Sequence, residues 1–356
     1  PLHGIPYGAK DLLATKNYKT TWGAMPYKDQ VIDENATVIK KLEEAGAVLI
    51  AKTTLGALAM GDVWFGGKTR NPWNLEQGSS GSSAGSASTT AAGLVAFSIG
   101  TETLGSIVSP STRSGAMALS WTMDKIGPIC RTVEDCAIVF DAIHGPDGID
   151  QTLIDAPFNY DARTKLTDLR IGYVDTLFKR DSRNKERDNA VLDVLRGLGA
   201  ELIPIALPDF PYGAMRPVLS AEAGAAFDAL TRSGSDELLV RQGRNAWPNS
   251  FRTARFIPAV EYIQANRIRY QLVQEIQKVM AEIDVYVSPS FGGPNLLLTN
   301  LTSHPCVVLP NGFTDEGSPT SITFIGGLYN EASALVVAKA YQDATDWHLR
   351  HPAMFQ

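Results

Sequence analysis

The stretch EQGSSGSSAGSASTTAAG, residues 76–93, decides how the whole chain is interpreted. Its glycine and serine content is typical of a flexible linker between domains. It passes directly, however, into the apolar LVAFSIG of residues 94–100, and it lies inside an alternation of strand and helix patterns. We therefore predict a packed loop that leads into a helix, because small side chains let other backbone segments come close.

Hydrophobic periodicity on both sides of this loop predicts an α/β fold. Apolar side chains recur at helical spacing in ENATVIKKLEEAG, residues 34–46, and AVLIAKT, residues 47–53, follows as a buried strand. Further strands are predicted at 169–174, 201–205, 284–290, 304–310 and 321–327, and further helices at 189–199, 260–283 and 331–345. The alternation indicates a parallel-rich sheet with helices on its faces.

Composition and charge exclude several classes of protein. The chain has 356 residues, 44% of them hydrophobic, and a net charge of −6. It shows neither the basic stripe that nucleic acid requires nor an apolar run of membrane-spanning length, so we expect neither partner. The three cysteines, Cys130, Cys136 and Cys306, fit no disulfide framework or zinc signature and indicate buried thiols in the reducing cytoplasm. Because the chain begins at Pro1 without methionine, we expect an N-terminal part to precede it, and a targeting signal there stays open.

The glycine-rich loop fits poorly with two familiar chemistries. No Gly-Lys-Ser/Thr follows it and no G-x-G-x-x-G is present, which argues against phosphate or dinucleotide binding. GSSAG, residues 81–85, matches the nucleophile elbow G-x-S-x-G around Ser83, but that elbow requires a buried strand before it and NLEQGSS is polar. None of the histidines stands in a context that indicates a triad: they are His3, His144, His304, His348 and His351.

A serine can instead be activated by an uncharged lysine. Lowering the pKa of an amine from about 10.4 to about 7–8 costs on the order of 4 kcal/mol, which burial could supply. Lys10 in GIPYGAKDLL is a candidate, although a lysine taken alone is far more often a surface residue.

Seven segments in order resemble the amidase signature family. They are PLHGIPYGAKD, NATVIKKLEEAGAVLIAKT, NPWN, GSSGSSAGSA, GTETLGSIVSPS, DKIGPICRTVEDC and NLTSHPCVVLPNGF. Each segment is weak alone, but together they cover nearly the whole chain in the family's order.

This resemblance implies a single domain over residues 1–356, with one large mixed, mostly parallel-rich twisted sheet covered by helices on both faces. It also implies a Ser–Ser–Lys triad that hydrolyses amides, and in some members esters or carbamates, through an acyl-enzyme. By position in the motifs, Lys10 is the lysine, Ser82 the bridging serine held by a cis peptide bond, and Ser106 the nucleophile. The backbone N–H groups of Thr103, Leu104, Gly105 and Ser106 are expected to face the developing oxyanion. The chemistry implied requires no metal and no cofactor.

The resemblance also places a substrate pocket. Met60 and Gly61 in ALAMGDVW are expected closest to the substrate, with Trp64, Phe65, Leu298 and Thr299 as further candidates. The alternative for ALAMGDVW is a core helix or strand. Because Asp62 is the only fixed charge among these positions, we expect an uncharged aryl or alkyl amide or carbamate as substrate.

The chain departs from the family pattern at two places. Leu104 stands where a glycine is usual, and Val108 stands where an arginine is usual. About fifteen residues of the family pattern are missing near residues 112–114, where SGAMALSW follows Arg113 directly. We expect an omitted loop, which would be a lid over the active site, rather than a true deletion.

Two other functions stay open. One is the glutamine-hydrolysing subunit of an amidotransferase, which has the same triad and acts with partner chains. The other is a non-catalytic small-molecule binder that keeps the fold. For the hydrolase itself we expect a small-molecule substrate, and a homodimer is compatible with it.

Overall fold

A computed structural model describes residues 1–114, 117–120, 123, 125–150 and 153–355 of the chain. Its strands are β1 (Pro6–Lys10), β2 (Val48–Thr53), β3 (Val63–Trp64), β4 (Gly67–Lys68), β5 (Arg70–Asn71), β6 (Asn74–Gly78), β7 (Phe97–Glu102), β8 (Met117–Ser120), β9 (Lys125–Cys130), β10 (Ile171–Val174), β11 (Leu202–Ile205), β12 (Val285–Pro289), β13 (Cys306–Phe313) and β14 (Pro319–Gly326). Its α-helices are α1 (Thr37–Glu44), α2 (Ala84–Ala91), α3 (Val108–Ser114), α4 (Val133–Ile143), α5 (Asp175–Lys179), α6 (Lys185–Gly197), α7 (Arg216–Ala226), α8 (Asp228–Arg232), α9 (Trp247–Ala254), α10 (Ala259–Glu282), α11 (Asn295–Thr302) and α12 (Glu331–Asp343).

One mixed sheet organises the molecule. Ten strands lie in the order β11-β10-β12-β14-β13-β8-β9-β7-β1-β2. The pairings at the two ends, β2-β1-β7 and β11-β10-β12, are parallel, and those between β7 and β12 are antiparallel. The mixed sheet predicted from the sequence is therefore confirmed, and its parallel strands form its two ends.

Alternating side chains of the central strands supply two cores, one on each face. On β13, Val307 and Leu309 belong to one apolar cluster, whereas Val308 belongs to another. The first cluster contains the buried side chains of α1, α4, α6 and α12, and the second contains those of α7, α10 and α11. Because side chains alternate along a strand, this division shows that helices cover both faces, as predicted.

The glycine- and serine-rich stretch is folded. After β6 and a short loop, it continues as α2, which packs against β7. Gly85 is required there, because a Cβ at this position would meet the backbone nitrogen of Thr54. The prediction of a loop leading into a helix is thus confirmed, and the linker interpretation is excluded.

One predicted strand has a different environment from the expected one. Residues 48–53 form β2, but this strand is the edge of the sheet, and Val48 and Ile50 are exposed. The prediction of a buried strand was wrong because an apolar run does not reveal whether a second neighbour covers it.

Two further expectations from the sequence concern the missing loop after Arg113 and membrane-spanning segments. The predicted missing loop follows Arg113 in α3, and residues 115 and 116 lie outside the described part of the chain. Within that described part, no helix combines the length and the hydrophobicity needed to cross a bilayer.

Candidate active site

Two adjacent strands end at the same edge of the sheet and bring the first site residues together. Lys10 is the last residue of β1, and Glu102 is the last residue of β7. The two strands are parallel neighbours, so the segment after β7, which carries Ser106, starts beside Lys10. Ligand sites in α/β proteins commonly lie at the carboxyl ends of parallel strands.

The loop before α2 has an unusual backbone. The peptide bond between Gly81 and Ser82 is cis, as the family resemblance implies. A side chain at Gly81 would collide with the carbonyl oxygen of Gly61, so this close approach requires glycine. The Asp62 carboxylate accepts a hydrogen bond from the Ser80 N–H at 3.1 Å and ties the same two segments together.

Lys10 reaches into this loop. Its Nζ lies 2.7 Å from Ser82 Oγ, 3.1 Å from Ser83 Oγ and 2.8 Å from Thr101 Oγ1. Lys10 and Ser82 are both 0% exposed. The structure therefore places the predicted lysine and the predicted bridging serine within proton-transfer distance, 72 positions apart in sequence.

Ser83 connects Lys10 to residues 101–106, which we call the nucleophile segment because they carry the predicted nucleophile Ser106. Its Oγ accepts from the Thr101 N–H at 3.1 Å and donates to the Thr101 carbonyl at 3.0 Å. Its own N–H donates to the Ser106 carbonyl at 2.9 Å. Ser106 retains 8% exposure, whereas Lys10 and Ser82 are 0% exposed.

The backbone after β7 is held by a buried carboxylate. Glu102 Oε1 accepts from the Gly105 N–H, and Glu102 Oε2 accepts from the N–H groups of Ile107 and Val108. The Gly105 N–H, one of four predicted oxyanion donors, is therefore bound to Glu102 in this structure. The oxyanion role of these four N–H groups stays a prediction.

The predicted pocket residues Met60 and Gly61 lie beside the cis peptide. Gly61 has φ of 68°, and its carbonyl lies against Gly81. They are half-buried loop residues rather than part of a core helix or strand.

Trp64 and Phe65 lie elsewhere. Their rings pack edge to face at 4.8 Å and line a cavity of about 300 Å³ together with Asp11 and Lys52. Neither Ser82 nor Ser106 lines this cavity. The prediction that Trp64 contacts the substrate is not supported by this placement, because the β3–β4 hairpin carries its ring to another cavity.

Helix α11 does approach the site, but not through the predicted side chains. Leu298 is fully buried in the apolar core, and the Thr299 hydroxyl bonds the Leu296 carbonyl within the helix. Leu296 and Asn300, one helical turn apart, face the nucleophile segment instead: Leu296 lies beside Gly105, and Asn300 Nδ2 lies 3.3 Å from Glu102 Oε1. The structure thus places two neighbours of the predicted residues, and not Leu298 or Thr299 themselves, beside residues 102–105.

Sequence reasoning missed a cation near the site. Arg241 is exposed, and its Nη1 would lie 3.3 Å from a Cβ at Gly61. Its segment is fastened nearby, since Trp247 Nε1 donates to the Leu58 carbonyl at 2.8 Å. No sequence motif indicates Arg241. It comes near Gly61 only because residues 230–254 pack on residues 57–58, which we call the Leu58 loop.

One histidine and the three cysteines are buried. Burial, and then the nearby Lys125 charge, lowers the pKa of His304 to about 4. Cys130, Cys136 and Cys306 are free and buried, as predicted, and burial raises the pKa of Cys130.

The predicted lysine, the cis-peptide serine and the Ser106 segment therefore meet at one edge of the sheet. The sequence matches the model of the Amidase family over residues 1–297, and the chain belongs to that family. Among curated relatives, a glutamyl-tRNA(Gln) amidotransferase subunit from Roseiflexus sp. (strain RS-1) is 33% identical, over 99% of this chain and 85% of that protein. The alignment spans 416 positions, so this relative contains residues without counterpart in the present 356.

Solved structures share the fold. The native peptide amidase from Stenotrophomonas maltophilia superimposes with a TM-score of 0.82 at 27% identity, over 96% of this chain and 83% of that one. The corresponding glutamyl-tRNA(Gln) amidotransferase subunit from Thermotoga maritima gives a TM-score of 0.78 at 23% identity, over 96% and 84%, which shows the fold alone.

Proposed function

We propose that this chain is an amidohydrolase that forms an acyl-enzyme on Ser106. The single observation that carries the proposal is the 2.7 Å contact between Lys10 Nζ and Ser82 Oγ, with both side chains fully buried and Ser106 tied to the same loop. Burial disfavours the charged form of an amine, which suits a lysine that has to accept a proton.

The reaction follows from this arrangement. Neutral Lys10 takes the Ser82 proton as Ser82 takes the Ser106 proton, and Ser106 Oγ bonds to the amide carbonyl carbon. Backbone N–H groups stabilise the oxyanion. The C–N bond then breaks, the proton returns through Ser82 to the leaving nitrogen, and water releases the acid from Ser106.

Active-site labelling tests the proposal directly. A fluorophosphonate should label wild-type protein and not Ser106→Ala, which should also lose turnover of a panel of amides, carbamates and esters by about 1,000-fold or more. Ser88→Ala is the matched control, because this partly exposed serine of α2 directs its hydroxyl to the Arg70 carbonyl. Folded wild-type protein that takes no label would instead favour a non-catalytic binder.

A glutamine-dependent function is the second candidate, because the 33%-identical relative is named as part of an amidotransferase. Such a protein would hydrolyse glutamine and act with partner chains. Turnover of simple amides by the purified chain, without turnover of glutamine, would favour the independent hydrolase. The reverse result, or activity only with added partner chains, would favour the amidotransferase.

The Arg241 guanidinium beside Gly61 revises the expected substrate class. It supports amides that carry a carboxylate or another anionic group on the side facing Gly61. Arg241→Ala should raise KM for a carboxylate-bearing amide about tenfold and leave the neutral isostere unchanged. Arg244→Ala removes a second exposed arginine of the same loop and serves as the control. Equal effects on both substrates would restore the uncharged amide as the preferred class.

A further inference from the structure

Glu102 has no place in the chemistry described above, yet it is completely buried beside it. Its two oxygens bind the N–H groups of Gly105, Ile107 and Val108, which flank Ser106 on both sides. Hydrogen bonds to an ionised acceptor are roughly twice as strong as neutral ones. One side chain therefore fixes the backbone on both sides of the nucleophile.

One further side chain binds this carboxylate, and a buried lysine lies opposite it on the neighbouring strand. Asn300, 1% exposed on α11, donates from Nδ2 to Glu102 Oε1 at 3.3 Å and to the Leu296 carbonyl at 2.8 Å. Lys125 is paired directly with Glu102 in the β7–β9 register and is also buried. Directly opposed residues of antiparallel strands lie on the same face, so the buried cation and anion share one side of the sheet.

We propose that Glu102 is a positioning residue, which sets the turn that carries Ser106 by binding backbone N–H groups on both sides of it. This inference rests on the proposed function, because it assigns Glu102 an effect on the rate of the Ser106 reaction. A displacement of about 1 Å at a reacting group can cost about 100-fold in rate.

The variant Glu102→Gln tests the inference with little change in shape. In this variant an NH2 group replaces one of the two carboxylate oxygens. Both oxygens accept backbone N–H groups in the wild type, so either replacement sets a donor against a donor and removes one acceptor from the turn. We expect kcat per fluorophosphonate-titrated site to fall about 100-fold, with KM within about threefold of wild type. Affinity for a trifluoromethyl ketone, which forms a tetrahedral oxyanion adduct on serine, should fall by a similar factor.

Asp188→Asn is the matched control. Asp188 is another buried carboxylate, bound by Asn311 Nδ2 at 2.9 Å on α6 and remote in sequence from the triad segments. Both variants are expected to alter the melting temperature, whereas only Glu102→Gln should change kcat per titrated site.

The outcomes separate the two proposals. If wild-type protein neither takes the label nor hydrolyses amides, the proposed function fails. If wild-type protein is active and Glu102→Gln keeps its kcat per titrated site, the inference about Glu102 is overturned while the proposed function stands. Should Glu102→Gln not fold, Asn300→Leu removes one donor to the carboxylate. A drop in kcat of about threefold to tenfold then supports the inference, and an unchanged kcat overturns it.

Discussion

Lys10 concentrates the proposed chemistry in one side chain. It ends a strand, it is fully buried, and three hydroxyl groups surround its amine. The residues 79–83 and 101–106 that receive it come from two other segments. The sequence motifs predicted the meeting of Lys10 with Ser82, because family order constrains it. They did not predict Thr101 as a third hydroxyl, because its side chain enters only through the register of β1 with β7.

Replacing Lys10 by methionine should remove the proton acceptor and keep the apolar stem. We expect kcat to fall by about 1,000-fold or more between pH 7 and 9, because Ser82 then has no base. Initial rates of amide hydrolysis over this pH range measure the effect.

Lys52→Met provides the comparison, since Lys52 lies on the neighbouring strand β2 and pairs with Asp11 at 3.0 Å. Burial lowers the pKa of Lys52, but its amine does not contact the serines that Lys10 binds. This variant should change stability and keep kcat. Full activity in Lys10→Met would rule out the lysine mechanism.

Among the secondary-structure elements, the long helices with regular hydrophobic periodicity were predicted well from the sequence, and the two-residue strands were not. Long helices such as α10 and α12 begin and end within two residues of the expected bounds. The two-residue strands β3, β4 and β5 have no period to detect, so they were not predicted. The segment between β11 and α10 carried no prediction, and it holds α7, α8, α9 and Arg241. Its packing depends on the Leu58 loop, which no local pattern in the segment encodes.

Helix α4 begins with a side-chain cap that a single substitution can remove. Thr132 Oγ1 accepts a hydrogen bond from the Asp135 N–H at 3.0 Å. Thr132→Ala should lower the free energy of unfolding by about 1 kcal/mol, measured by urea denaturation. Thr132→Ser retains the hydroxyl and should lose clearly less. An equal loss in both variants would show that the Thr132 methyl group, and not its cap, stabilises the helix.

The whole molecule contains a buried acid that links its stability to pH. Glu331 begins α12, and its Oε1 finds no donor among the described residues. Burial raises the pKa of Glu331 to about 7. The folded state therefore binds a proton at the Glu331 carboxyl more tightly than the unfolded chain, in which that carboxyl has its ordinary pKa. The resulting stability is fully present below about pH 4.5 and is lost as pH rises through about 7.

Glu331→Gln should remove this dependence. Relative to wild type, we expect the variant to gain on the order of 3 kcal/mol of unfolding free energy at pH 8 and little at pH 4.5. Glu201→Gln, at an exposed position, should change little at either pH. Denaturant unfolding at both pH values measures the difference, and a gain independent of pH would contradict the assignment to Glu331.

The short strand β8 has a consequence for how the chain can be divided. Strands β1, β2, β7, β8 and β9 precede residue 150, strands β10 to β14 follow residue 153, and β8 pairs with β13 between these two groups. A protease nick at the exposed Asp155 would leave Lys10, Ser82 and Ser106 on one fragment and Asn300 on the other. Separately produced halves should therefore be inert alone and regain turnover by fragment complementation when mixed.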